Sequence, residues 1–228
     1  MTETVVIIPA LDEEQSIGNV LADIPKNVVS EVVVVDNNSH DNTVEIARNA
    51  GVTVIHEPRQ GYGFACLKGI EYVQSRQHKA DVVVFLDADY SDYPEEMTDL
   101  IKPIVQHDYD LVIGSRLSGK LQRGAMSPYQ VFGNKLATML MGILYGARYT
   151  DLGPFRAIKF DTLLNLSMNE KTYGWTAEMQ VKAAKKRLLY CEVPVTYRPR
   201  IGTSKISGTA KGALLASFGI MTTILKYM

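Results

Sequence analysis

Two aspartates, Asp87 and Asp89, close the apolar run Val82-Val83-Val84-Phe85-Leu86, with one alanine between them. Carboxylates one residue apart are hard oxygen donors. They suit Mg²⁺ or Mn²⁺, held through one or two carboxylates and completed by phosphate oxygens. Neither can be buried as an unpaired ion, because desolvating a charge is costly. The apolar run predicts a strand covered on both faces. Open α/β sheets bind their ligands at the carboxyl ends of such strands. The spacing therefore predicts a strand-end divalent cation that grips a diphosphate, with Asp87 and Asp89 as its ligands. An isolated pair like this is also what a plain polar strand exit looks like, so the rest of the chain decides.

Two more predicted strands end in polar groups. Thr4 to Ile8 stops at Pro9, which has no N–H for the ladder, and leads into Ala10-Leu11-Asp12-Glu13-Glu14. Asp12 is placed to cap a following helix that runs to about Asp23, with Gln15 at the capping-box position. Val32 to Val35 ends in Asp36-Asn37-Asn38-Ser39, and Asp41 or Asn42 caps the next helix. Val52 to Ile55 is a third strand, and the loop Arg59 to Gly63 opens a helix over Phe64–Ser75. That loop has neither Walker nor dinucleotide-fingerprint spacing. Pro94 starts a further helix, and Asp110 to Arg116 is a fifth strand. This alternation predicts βαβ units in a doubly wound, mostly parallel sheet. Three polar strand exits then share one rim, which points to a nucleotide site.

The second part of the chain changes character. Pro128 to Tyr149 reads as an apolar helix interrupted by glycines, followed by the turn-rich segment Tyr149 to Arg156. A helix opens at Tyr173 and ends in a basic cluster, and Val193 to Tyr197 is a last strand. The basic loop Arg198 to Lys205 and an apolar tail helix over Gly212 to Leu225 complete the chain. Fourteen residues are too few to span a bilayer, but enough to lie in its interface or pack on a core.

Composition supports a globular α/β protein of 228 residues with 46% hydrophobic and 21% charged residues. The net charge of −1 hides an asymmetry. Residues 1–100 hold 18 acidic and 6 basic side chains, whereas 101–228 hold 7 and 18. The first part suits cations; the second suits phosphates or a lipid surface. Cys66 and Cys191 show no metal-ligand spacing and read as thiols of a reducing cytoplasm. The four histidines form no ligand pattern, no secretory signal is read at the start, and no nucleic-acid motif accompanies the basic segment.

Several stretches together resemble the family-2 glycosyltransferases of GT-A fold, in particular the dolichyl-phosphate mannose synthases and bacterial polyprenyl-phosphate sugar transferases. They are Val6 to Glu14, Val34 to Ser39, Leu86 to Asp89, Gly114-Ser115-Arg116, Asp151 to Arg156 and Gly202-Thr203-Ser204-Lys205. The resemblance implies one domain over 1–228, with a nucleotide-binding half (1–116) and an acceptor-binding half (117–228) ending in an amphipathic helix. It implies that Pro9, Leu11, Glu13 and Asp36 cradle the nucleoside and that Asp87 sits near ribose and metal. Asp89 binds Mg²⁺ or Mn²⁺, Arg116 meets phosphate, and Arg156, Arg200 and Lys205 neutralise the acceptor phosphate and leaving diphosphate. Where the synthases often carry another metal-shell glutamine, this chain has Ser91 beside Asp92, so the third protein ligand is open. Gln130 and Asn134 stand where acceptor-binding charge is expected.

The activity implied is metal-dependent inverting transfer of a hexose from a UDP-glucose or GDP-mannose type donor to a polyprenyl or dolichyl phosphate. The expected location is cytoplasmic, with peripheral contact at the inner membrane face. A phosphate monoester has its second pKa near 6 and is largely dianionic at neutral pH, so it needs neutralisation and not a base. The rival is a soluble enzyme acting on a hydroxyl, with Asp151 or Glu178 as general base. Each has a plainer reading, Asp151 as a turn cap and Glu178 as the i,i+4 partner of Lys182. A nucleotidyltransferase fits less well, because the loop after the first strand is acidic.

Overall fold

The computed structural model describes residues 2–202 and 210–228, with backbone alone over 210–214. The elements run β1 (Thr4–Ala10), α1 (Ile17–Asp23), β2 (Glu31–Asp36), α2 (Thr43–Asn49), β3 (Thr53–His56), α3 (Tyr62–Ser75) and β4 (Val82–Phe85). A 3₁₀ turn at Pro94–Glu96 leads into α4 (Met97–His107). Then come β5 (Leu111–Leu121), α5 (Pro128–Tyr145), β6 (Arg156–Lys159), α6 (Phe160–Leu166), α7 (Trp175–Lys185), β7 (Tyr190–Tyr197) and α8 (Ala210–Lys226).

Among the described residues the strands form one sheet in the order β3-β2-β1-β4-β6-β5-β7. The predicted doubly wound α/β architecture is what forms. β1 lies between β2 and β4, parallel to both, so three strand exits meet at one edge. Both faces are covered. Val5 and Ile7 pack with Cys66 and Ile70 of α3, while Val6 and Ile8 pack with Ile17 of α1 and Leu100 of α4. That two-sided burial is why these strands read as unbroken apolar runs. Each fully buried Val or Ile stabilises the fold by about 1.5–3 kcal/mol.

The structure revises the sequence reading in three places. Asp12 does not cap α1. It lies in the left-handed region at φ 51°, and its carboxylate accepts the His40 N–H at 2.7 Å, tying the β1 exit to the β2 exit. The helix begins only at Ile17. β6, of which only Arg156 belonged to the segment read as turn-rich, is a strand inserted antiparallel between β4 and β5. α5 ends at Tyr145, where Gly146 takes the left-handed C-terminal conformation at φ 68°. Its start carries a capping box between Ser127 and Gln130, with Pro128 in the first turn. No helix of the described residues is long and apolar enough to cross a membrane.

Candidate active site

A cavity of about 370 Å³ opens where β1, β2 and β4 end. Pro9, Leu11 and Glu13 line it from the β1 exit, Asn37 from β2, and Asp87 and Asp89 from β4. Tyr62, Thr172, Tyr173 and Arg200 close its other sides. Asn37 builds part of the wall. Its amide donates to the carbonyls of Glu57 (3.0 Å) and Arg59 (2.7 Å) and accepts the Gly61 N–H at 2.8 Å. Gly63 lets the segment before Thr172 cross the start of α3, since a Cβ there would lie 2.2 Å from the Glu170 carbonyl oxygen.

Asp87 is half-buried and accepts a hydrogen bond from the Tyr62 hydroxyl at 3.0 Å. Burial, then the neighbouring Asp89 charge, pushes its carboxyl up to about 7. Asp89 is 8% exposed. It accepts the Ser91 N–H at 2.9 Å and the Ser91 hydroxyl, and its Oδ2 lies 3.3 Å from Nη1 of Arg200. Nη2 of Arg200 donates to Glu13 Oε1 at 2.7 Å. Asp92, 1% exposed, has neither carboxylate oxygen hydrogen-bonded among the described residues. Burial, then Asp87, pushes its carboxyl well above the ordinary range. The rim thus holds more carboxylate than cation.

Arg200 is delivered by a neighbour that the sequence reading passed over. The Arg198 guanidinium lies 3.4 Å from the Tyr90 ring centre and 4.0 Å from that of Tyr93. It also donates to the carbonyls of Tyr90 (2.7 Å) and Asp92 (3.2 Å). Backbone bonds from Arg198 N to Ser91 O (2.9 Å) and from Ile201 N to Asp89 O (3.0 Å) zip the two segments together. The signal was present in Tyr90 and Tyr93 flanking an acidic turn, with Arg-Pro-Arg downstream, but nothing local pairs them.

Not all the predicted site residues reach the cavity. Asp36 turns away, accepting the Ser39 N–H at 2.9 Å and facing His56 Nδ1 at 2.8 Å. Arg116 and Asp151 form a two-pronged ion pair (2.8 and 2.6 Å), and Arg116 N–H adds a third bond at 2.7 Å. Arg116 stands behind the cavity, where its charge still lowers Asp87 and Asp92. Arg156 is fully buried and donates to the carbonyls of Leu152, Gly153 and Thr176. Burial pulls its guanidinium down to about 10, and it holds a turn where phosphate contact was expected. Glu178 is 0% exposed; it pairs with Lys182 at 2.8 Å and accepts the N–H groups of Asn169 and Glu170. It fixes the segment leading to Thr172 and does not line the cavity. Asn134 is likewise internal, bonding Thr150 O and Leu152 N–H. Lys205 lies outside the described residues.

The donor set fits a hard divalent cation. Asp87 and Asp89 offer carboxylate oxygens one residue apart, and open cavity beside them leaves room for phosphate and water. Among the described residues no three acidic, His or Cys side chains gather to hold an ion alone. Two carboxylates alone would leave the shell of such an ion open to phosphate or water.

Residues 5–166 match the family model described as Glycosyl transferase family 2. The chain belongs to that family. This glycosyltransferase is 34% identical over 216 residues to a dolichyl-phosphate hexose transferase of Haloferax volcanii, covering 92% of the chain and 89% of the relative. It is 31% identical over 214 residues to the low-salt glycan biosynthesis hexosyltransferase Agl6 of the same organism. That match covers 91% of the chain and half of the longer protein (50%). Among solved structures it is similar to glucosyl-3-phosphoglycerate synthase of Mycobacterium tuberculosis in complex with Mn²⁺, UDP and glucosyl-3-phosphoglycerate. There the TM-score is 0.77 at 21% identity, over 99% of this chain and 80% of that one. The fold of this glycosyltransferase is GT-A.

Proposed function

We propose that this glycosyltransferase moves a hexose from a nucleotide sugar, preferably a UDP-sugar, to a polyprenyl phosphate at a membrane surface, with inversion. The 1–116 half would hold the donor, with Thr172, Tyr173 and Arg200 closing its cavity, and the rest of the 117–228 half the acceptor. The observation that carries this reading is the meeting of Asp87, Asp89, Glu13 and Arg200 in one cavity. Asp87 and Asp89 would hold Mg²⁺ or Mn²⁺, and Arg200 would turn to the diphosphate. A cation bound there supplies neutralisation of charge on the departing diphosphate.

The acceptor's phosphate oxygen attacks the anomeric carbon from the face opposite the diphosphate. The new C–O bond forms as the bond to the diphosphate breaks, and the nucleoside diphosphate leaves with the electron pair. Arg200, once turned to the diphosphate, aids that departure as a positive group. The two carboxylates considered as bases for a hydroxyl acceptor are spent, Asp151 on Arg116 and Glu178 on Lys182 and backbone N–H groups. A phosphate acceptor, already ionised with a second pKa of about 6, needs neither. The Haloferax relative's name, dolichyl-phosphate hexose transferase, favours the same acceptor class. The UDP and Mn²⁺ of the similar solved structure favour the donor class.

The test presents one UDP-hexose with polyprenyl phosphate and, separately, with water-soluble hydroxyl acceptors. The expected products are a lipid-linked hexose and UDP. Transfer to soluble hydroxyls with none to the lipid would overturn the reading.

A further inference from the structure

Two packed helices bare apolar side chains to solvent. On α5, Phe132 (69% exposed), Met139 (54%) and Ile143 (70%) stand at i, i+7 and i+11, one narrow stripe. The opposite side of that helix buries Asn134, Ala137, Thr138 and Met141. On α8, Leu215 (49%), Phe218 (70%) and Leu225 (52%) repeat the pattern at i, i+3 and i+10. The helices touch, with the Tyr145 hydroxyl donating to the Ile224 carbonyl. Single exposed apolar residues are ordinary, but stripes on two adjoining helices mark an interaction surface.

Charge tells what covers it. Apart from Arg116, which is paired with Asp151, residues 111–150 carry Lys120, Arg123, Lys135 and Arg148 and contain no Asp or Glu. Residues 193–228 also lack acids and, beyond Arg198 and Arg200 of the strand-end site, carry Lys205, Lys211 and Lys226. Beside the α5 stripe is a second cavity, of about 470 Å³, separate from the strand-end one. Met139 is in its wall; Lys135 and Arg148 edge it together with Ser118, Thr138 and Thr150. No ion pair reaches Lys135 or Arg148 among the described residues. A second copy of the chain laid on this face would set lysine and arginine against lysine and arginine; the Glu192 carboxylate, beside Thr150 of the groove, is already held by the Thr150 N–H and hydroxyl.

We infer that the α5–α8 face docks on an anionic lipid bilayer, Phe132, Ile143 and Phe218 entering the interface while the Lys135–Arg148 groove takes a lipid phosphate headgroup. Apolar burial and attraction to anionic headgroups act together in such binding. The docking needs no substrate. Only its use, bringing the strand-end cavity to a lipid acceptor, rests on the proposed transfer.

Sedimentation of the full chain with vesicles tests this, using phosphatidylcholine alone and phosphatidylcholine with phosphatidylglycerol. Binding to the anionic vesicles is expected, weakening as salt rises. The double variant Phe132→Asp/Ile143→Asp lowers it by about tenfold or more, and Lys135→Gln/Arg148→Gln by roughly tenfold. All four residues or their charged tips are solvent-facing, and circular dichroism melting checks that the variants fold. Binding that is absent, equal on neutral vesicles, or unchanged in both variants overturns the docking. So does a concentration-dependent dimer that the same substitutions dissolve. Loss of transfer activity with vesicle binding intact would count against the acceptor assignment alone.

Discussion

Arg200 bridges two strand exits, with Nη1 3.3 Å from Asp89 and Nη2 2.7 Å from Glu13. In the free protein this guanidinium partly supplies the positive charge that a divalent ion would bring. Its two roles can be separated by the sign of their effects.

Arg200→Gln is expected to strengthen Mn²⁺ binding to the free protein severalfold, because a like charge about one ion pair away is removed. Nucleoside diphosphate binding and turnover should fall, by about tenfold to a hundredfold, because the donor loses a charge-assisted contact. Mn²⁺ titration by electron paramagnetic resonance reads the first effect and steady-state kinetics the second. Weaker Mn²⁺ binding in the variant would contradict the bridging role.

The Asp87 carboxyl, pushed up to about 7, sets a pH dependence. Between about 4 and 7 the folded protein keeps a proton that the unfolded chain has released, so stability without metal falls as pH rises through this window. Metal binding needs the carboxylate, so Mn²⁺ affinity rises over the same range. Asp87→Asn should flatten the Asp87 part of the stability slope, read from melting temperatures across pH. An unchanged slope would place the proton elsewhere.

Arg198 acts through Arg200 and the acidic turn, a positioning residue held between Tyr90 and Tyr93. Lysine keeps the charge but not the planar stack or the forked donors. Arg198→Lys is expected to lower kcat/KM by about tenfold or more, since small misplacement of a positioned group is costly. The melting temperature should move little. Full rescue by lysine would show that charge alone matters.

Asp151→Ala leaves Arg116 buried without its partner. Breaking a buried pair in this way costs about 3–5 kcal/mol, which urea unfolding measures. A stable variant with abolished transfer would instead restore Asp151 as a base.

The sheet was legible because β1, β2 and β4 are covered on both faces, although β1 runs through Pro9 to Ala10 and β4 ends at Phe85, two residues before Asp87. Their exits could be read as one rim because parallel neighbours must end together. β6 was hidden because four residues after a Gly-Pro turn, Arg156 to Lys159, give no alternation to read. Arg156 looked like a phosphate ligand by type, but carbonyls from residues 152, 153 and 176 capture it. Asp36 faces His56 and Ser39, and Glu178 takes the Lys182 pairing that its spacing also allowed, since a sequence gives a side chain's chemistry and not its direction. The Tyr62–Asp87 bond and the Arg198 stack join residues far apart in the chain, where no local pattern exists.

The central claim is that Asp87 and Asp89 bind a divalent ion together with a nucleoside diphosphate. Thermal melting with UDP and GDP, each with Mn²⁺ or with EDTA, tests it most directly. The matching nucleotide at a hundred times its Kd should stabilise the protein by about 2.7 kcal/mol. That gain should require Mn²⁺ and vanish in Asp89→Asn. Stabilisation that survives EDTA, or that Asp89→Asn leaves intact, would contradict the account.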